Sequence, residues 1–210
     1  MTTASKHQQK TGSRRTPRKA TARYLENAAL YYMERFSSSV ANLRRVMIAK
    51  VERSARFHGT DRDEGAAQVE DIIARFLRTG LLDDGVYATA KAASLHRRGS
   101  SFRAIRAKLM AKGVGGSIID KALVALEGED PDPEFSAAVT FSRRRRIGPF
   151  RRHPGPGAAP ENHEKDHKED QQLREKELAA LGRAGFCFDI ARRIVDAQSE
   201  ESLSPDGRFI

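Results

Sequence analysis

Apolar residues in this chain come in short stripes, and a glycine or a serine stops nearly every one. The stretch from Arg78 to Gly113, RTGLLDDGVYATAKAASLHRRGSSFRAIRAKLMAKG, shows the rule in full. It holds a helix end, an acidic turn, a second helix, a Gly-Ser-Ser break and a third helix that stops at glycine. The residues between the apolar positions are almost all Arg, Lys or Ala. Such a segment cannot bury itself alone, so a chain built this way must repeat the pattern and stack the copies.

The pattern does recur. Leu25, Ala28, Ala29, Tyr32 and Phe36 share one helical face, and the run Ser37-Ser38-Ser39 separates it from the stripe Val40, Leu43, Met47, Val51. Val69, Ile72, Ile73, Phe76 and Leu77 make a third stripe, closed by Thr79-Gly80. In the next block Asp83 or Asp84 caps a helix that ends at Arg97-Arg98-Gly99, and Ser100 or Ser101 caps one carrying Phe102, Ile105, Leu109 and Met110 inward. Ser117 is expected to cap a helix with Ile118, Ile119, Ala122, Leu123 and Leu126. Asp132-Pro133 then opens a third block with an N-cap and a first-turn proline.

Placing Gly113 over Gly185 brings the second and third blocks into register. Leu109 meets Leu181, Val114 meets Phe186, Ile118 meets Ile190, Ala122 meets Ile194 and Leu123 meets Val195. The first block aligns through Ser39 with Ser101, Leu43 with Ile105 and Met47 with Leu109; there Val51 replaces the glycine, so the helix should run on for about two more turns.

The expected architecture is therefore all-α: three tandem three-helix repeats forming an elongated, curved array. Repeat 1 spans 24–82 and repeat 2 spans 83–129. Repeat 3 takes 131–150 and 169–198, interrupted by a flexible loop over 151–168 that contains Pro154-Gly155-Pro156-Gly157. Residues 1–23 hold seven Lys or Arg and no acid, the mark of a disordered basic tail, and 199–210 read as a second disordered tail.

Charge narrows the function. The net charge is +10 and the pI about 10.0, which favours a polyanionic partner, while a merely solvated basic surface is the alternative. One cysteine, Cys187, excludes an internal disulfide and a CxxC zinc site; between Phe186 and Phe188 it reads as a core thiol. No apolar run approaches the roughly 18 residues of a membrane span, and the N-terminus lacks the apolar core of a secretory signal, so a cytoplasmic protein without a membrane partner is expected.

Catalytic chemistry finds no footing. His163 and His167 have metal-ligand spacing, but no third ligand accompanies them, and His153 lies in the loop. Asp83 and Asp84 precede a helix, where carboxylates cap. Gly113, Gly115 and Gly116 lack the strand and the Lys-Ser/Thr of a phosphate loop. No enzyme activity, cofactor or metal is expected.

Three motifs, in order, resemble the RecX family of recombination regulators. Gly80-Leu81-Leu82-Asp83-Asp84-Gly85-Val86-Tyr87-Ala88 is similar to that family's junction signature, Gly-Leu-x-Asp-Asp-x-x-Tyr/Phe-Ala. RRGSSFRAIRAKLMAKGV resembles its central helix, with Gly99, Ile105, Leu109, Lys112 and Gly113 in the expected places. FSRRRRIGPFR followed by LAALGRAGFCFDIARRIV resembles its third unit, so the likeness covers roughly residues 24 to 198. The chain departs from the pattern in an extra stretch around Arg53 to Gly65 and in the Pro/Gly-rich loop after Arg152. The resemblance implies a monomeric modulator that binds the RecA nucleoprotein filament, with single-stranded DNA in the complex. It would inhibit recombination and ATP hydrolysis and so restrain DNA repair and the SOS response.

Basic residues are the candidate site. Arg97, Arg98, Arg103, Arg106, Lys108 and Lys112 cluster in repeat 2, and Arg143, Arg144, Arg145, Arg146, Arg151 and Arg152 in repeat 3. They could form an anion-binding strip for DNA phosphates or an acidic protein groove, or simply a solvated face. With no aromatics interleaved among them, base stacking is not expected and any DNA contact would be sequence-blind. Two rival classes remain: a helix-turn-helix type DNA-binding transcription regulator, and a scaffold with no DNA role.

Overall fold

The structure is a computed structural model that describes residues 16–128, 130–151 and 163–203, with the side chains of 163–167 outside the description. Among the described residues are nine α-helices and two short 3₁₀ turns. The helices are α1 (Ala22–Arg35), α2 (Val40–His58), α3 (Arg62–Arg78), α4 (Asp84–His96), α5 (Phe102–Met110), α6 (Gly116–Glu127), α7 (Pro133–Arg145), α8 (His163–Ala184) and α9 (Phe188–Val195). The chain is all-α.

Two compact units divide it. The first holds α1, α3 and α2 from Leu43 onward; the second begins with Ser37–Asn42 and resumes at Thr79. In the first unit most of the predicted stripe residues are buried: Leu25 and Ala29 of α1, Leu43, Met47 and Val51 of α2, and Val69, Ile72, Ile73 and Phe76 of α3. Phe36 and Leu77 at the stripe ends are exposed instead, as is Met110 at the end of α5. Helix α2 does run past Val51, to His58. The chain ahead of α1 is tied down as well. Ala20 donates its N–H to Ser54 Oγ at 2.8 Å, and the His58 ring nitrogen lies 2.7 Å from the Pro17 carbonyl. Arg18, Lys19 and Arg23 thus belong to ordered structure, and the expected tail reaches outside the described residues only over 1–15.

The second unit has two cores. Helices α4, α5 and α6 enclose Tyr87, Leu95, Ile105, Leu109, Val114, Ile119 and Leu123; α7, α8 and α9 enclose Phe135, Ala138, Ile147, Leu181, Phe186 and Ile194. The caps are those the sequence suggests, with one exception. Asp83 accepts from the N–H groups of Gly85 and Val86, Ser101 from Ala104 and Asp132 from Phe135. At α6 the capping position is Gly115, without a side-chain bond, so Ser117 lies inside the first turn instead of ahead of it.

Three features of the third repeat differ from expectation. Helix α8 begins at His163, inside the stretch read as loop; the rest of that stretch lies outside the described residues. The chain does not end its packing at Ser199: a 3₁₀ turn, Glu201–Leu203, puts Leu203 into the core at 4% exposure. Cys187 is exposed, because it occupies the extended N-cap position of α9, where Phe186 turns inward and Phe188 outward.

Within the second unit the same joint is built twice. Ser39, at the start of α2, donates its hydroxyl to the Lys112 carbonyl at 2.5 Å, and Ser101, at the start of α5, donates to the Ala184 carbonyl at 2.7 Å. Each carbonyl is followed by a left-handed glycine, Gly113 at φ 75° and Gly185 at φ 98°. Neither glycine has room for a Cβ. On Gly113 it would meet Ala41 Cβ at 2.4 Å, and on Gly185 Ser101 Oγ at 2.6 Å and Arg103 Cβ at 3.2 Å. A carboxylate completes each joint: Asp84 accepts from the Val40 N–H and Glu134 from the Phe102 N–H, both at 2.8 Å. Of the acidic pair Asp83-Asp84, then, the first caps its own helix and the second caps α2.

Candidate nucleic-acid interface

Gly99 ends α4 so close to α7 that a Cβ there would meet the Phe141 backbone nitrogen at 2.6 Å. That approach brings Arg98 beside residues more than forty positions away: Arg144 Nη1 donates to the Arg98 carbonyl at 2.6 Å. Arg98 in turn bonds backward onto α4, from Nε to the Ser94 carbonyl at 3.0 Å and from Nη2 to Ser94 Oγ at 3.2 Å. Cations at helix C-termini meet unsatisfied carbonyls and a favourable dipole, which holds these guanidinium groups in place. Arg98 spends two of its five N–H donors in this way and Arg144 one, leaving the remainder for an outside anion.

Two hollows flank this contact. One, of about 410 Å³, is lined by Arg98, Ser100, Lys108, Phe141, Arg144, Arg145 and Arg183 among others. The other, of about 550 Å³, shares Arg98, Ser100, Lys108 and Arg144 and adds Lys91, Leu95 and Lys112. Together they form one groove with seven cationic side chains and no carboxylate in its walls. Lys108 Nζ lies 3.3 Å from Ser100 Oγ, Lys112 Nζ 3.3 Å from Asn42 Oδ1, and the Arg145 guanidinium 5.8 Å from the centre of the Phe141 ring. Like charges lining one groove with no carboxylate among them repel one another, so the groove gains by taking up an anion.

Of the residues singled out in the sequence, Arg98, Lys108, Lys112, Arg144 and Arg145 come together here. The others go elsewhere. Arg97 is the exposed C-cap of α4, and the Arg103 stem packs beside Gly185. Arg106 is paired with Asp120 at 2.5 Å, and Arg143 is paired with Glu200 while lying over the Phe150 ring. Arg146 turns into the left-handed region at φ 58° to end α7. Arg151 is a structural residue: it forks onto Glu177, whose side chain is 8% exposed and also accepts from the Gly148 N–H. A carboxylate buried that far needs its partner cation, which removes Arg151 from any open strip. Arg152 lies outside the described residues, as do His153 and the side chains of His163 and His167.

The sequence reading missed Lys91 and Arg183. Both had a signal. Lys91, Leu95 and Arg98 sit at i, i+4 and i+7, one face of α4, and Arg183 stands in the register position of Ala111 when Gly185 is placed over Gly113.

Fold and groove define a class: an all-helical repeat protein with a preorganised cationic groove. The family model for the second three-helix domain of RecX matches residues 83–123, the segment that supplies four of the seven groove cations. The chain is 40% identical over 181 residues to the regulatory protein RecX of Myxococcus xanthus, covering 86% of this chain and 89% of that one. It is 29% identical over 183 residues to the regulatory protein RecX of Agrobacterium fabrum, covering 85% of each, and 38% identical over 133 residues to that of Streptomyces coelicolor, covering 63% and 61%. No solved structure matches. The chain belongs to the RecX family. Among the described residues no helix is long and apolar enough to cross a membrane.

Proposed function

We propose that this chain is a regulator of RecA: it binds the RecA nucleoprotein filament and inhibits recombination and ATP hydrolysis, modulating DNA repair and the SOS response. It performs no chemistry of its own and acts in the cytoplasm. The observation that carries this reading is the groove of the second unit, with seven cations on or just past four helices and no acid among them. A filament offers polyanionic surface in two forms, the phosphates of its single-stranded DNA and acidic protein. A fixed array of guanidinium and ammonium groups suits either without reading sequence. The regulatory names of the relatives agree with an effect exerted on a partner.

A helix-turn-helix transcription regulator would need a helix free to enter a major groove. The exposed side of α6 carries Asp120, Lys121, Val124 and Glu127, a balance of charge that does not favour a duplex.

The test is RecA's DNA-dependent ATP hydrolysis in the presence of sub-stoichiometric purified protein. Inhibition is expected, and the triple variant Lys108→Ala, Arg145→Ala, Arg183→Ala should need about tenfold more protein or greater at moderate salt. Absence of inhibition by the unaltered chain, whichever component is added first, would overturn the reading.

A further inference from the structure

The first unit carries a surface of a different kind. Tyr24, Asn27 and Tyr31 occupy positions i, i+3 and i+7 of α1 and line a hollow of about 470 Å³ together with Arg18, Lys50 and Arg53. Tyr31 is 58% exposed. Each tyrosine carries a cation at its ring: Lys50 Nζ lies 5.9 Å from the centre of Tyr24, and Arg35 lies 5.5 Å from the centre of Tyr31 while donating to its hydroxyl at 2.6 Å. Arg18 is held in place by the ties at Pro17 and Ala20 on either side of it. A neighbouring hollow shares Pro17 and Arg53 and adds Arg56 and Phe57, itself 56% exposed. Its one carboxylate, Glu52, is paired with Arg62 at 3.1 Å.

Tyr24 is half-buried and Tyr31 exposed, and neither is part of the buried core of the unit, which the stripes through Leu25 of α1 and Leu43 of α2 fill. Aromatic faces beside cations suit a ligand that is flat and anionic by turns. An acidic peptide would satisfy the cations and leave the rings unused. A duplex keeps its bases stacked on one another, out of reach. Single-stranded nucleic acid has both parts free: bases to lie on the rings and phosphates to meet the charges.

We propose that the Tyr24–Tyr31 hollow of the first unit stacks unpaired bases of single-stranded nucleic acid, with Arg18, Lys50 and Arg53 taking the flanking phosphates. This site uses none of the residues of the cationic groove, and it does not rest on the filament reading, since its test contains no RecA.

The sequence has four tyrosines and no tryptophan, and two of the four, Tyr24 and Tyr31, line the site, so the part of tyrosine emission that is lost in Tyr31→Phe reports on it. The full chain is titrated with oligothymidylate, with an abasic deoxyribose-phosphate strand of equal length, and with polyaspartate in competition. All three are run in the Lys108→Ala, Arg145→Ala, Arg183→Ala background, so that the groove does not mask the result. Oligothymidylate should quench emission saturably and bind at least fivefold more tightly than the abasic strand. Tyr31→Ala should weaken binding by about five- to a hundredfold, the range of one lost base–aromatic stack, and Tyr31→Phe should stay within about twofold. Equal affinity for the abasic strand, or displacement by polyaspartate at equal charge, would overturn the proposal in favour of phosphate or acidic-protein binding. The strand comparison uses no tyrosine variant, so it stands even if Tyr31→Ala folds poorly. Loss of ATPase inhibition with this quenching intact would strike the filament reading alone.

Discussion

The two joints of the second unit use the same four parts and differ in how much give each part has. At the first, Gly113 faces Ala41 Cβ, an atom fixed to a helix backbone with no rotamer to change. At the second, Gly185 faces Ser101 Oγ and the stem of Arg103, side-chain atoms that can turn. The first uses the short carboxylate of Asp84 and adds the Lys112–Asn42 bond; the second reaches across with the longer Glu134. A repeated joint therefore keeps its side-chain-to-backbone hydrogen bonds constant while its steric tolerance drifts.

Glycine replacement should break this comparison most sharply. Both Gly113→Ala and Gly185→Ala force a side chain into the left-handed region and into occupied space, together costing about 2–5 kcal/mol. Gly113→Ala should be the worse of the two, and equal losses in urea denaturation followed by circular dichroism would show that Ala41 yields as readily as a serine hydroxyl. Removing the serines comes next. Ser39→Ala and Ser101→Ala each delete a buried cap and strand a carbonyl, for about 1–3 kcal/mol in the same measurement.

The smallest effect is one of pH, and it probes the second joint. Burial pushes the Glu134 carboxyl above its usual range, against the pull of the Phe102 N–H and of His96. A carboxyl raised in the fold binds its proton more tightly there than in the unfolded chain. Its contribution is thus greatest below the ordinary carboxylate pKa and is lost as pH rises through the raised value. Glu134→Gln keeps an acceptor for Phe102 and removes the titration. The Tm of the parent minus that of the variant should fall as pH climbs through that window, and a flat difference would refute the assignment.

Much of this was legible in the chain. The register that sets Leu109 on Leu181 and Val114 on Phe186 pairs residues that are all buried, and the one that sets Leu43 on Ile105 and Met47 on Leu109 does the same. Apolar spacing and stop residues are local properties, and a repeat makes them count twice. Partners far along the chain were not legible. Nothing near Asp84 says that it caps α2, and nothing near Arg151 announces the buried Glu177. Four consecutive arginines look like one strip, yet they point around a helix end, so the fold sends only Arg144 and Arg145 to the groove. Tyr24 and Tyr31 draw no notice in the sequence, because helical period finds a stripe without saying which residues beside it stay open.

The joints also set an order of events during synthesis. A ribosome releases the chain from its N-terminus, and the contacts of the first unit are complete once Arg78 has emerged. Ser39 must wait for Lys112, 73 residues later, and Ser101 for Ala184, 83 residues later. Until then the two serines can cap only their own helices, accepting from the Asn42 and Ala104 N–H groups, with their hydroxyl donors unspent. The end of each later repeat's middle helix thus locks the serine that opens the middle helix of the repeat before it.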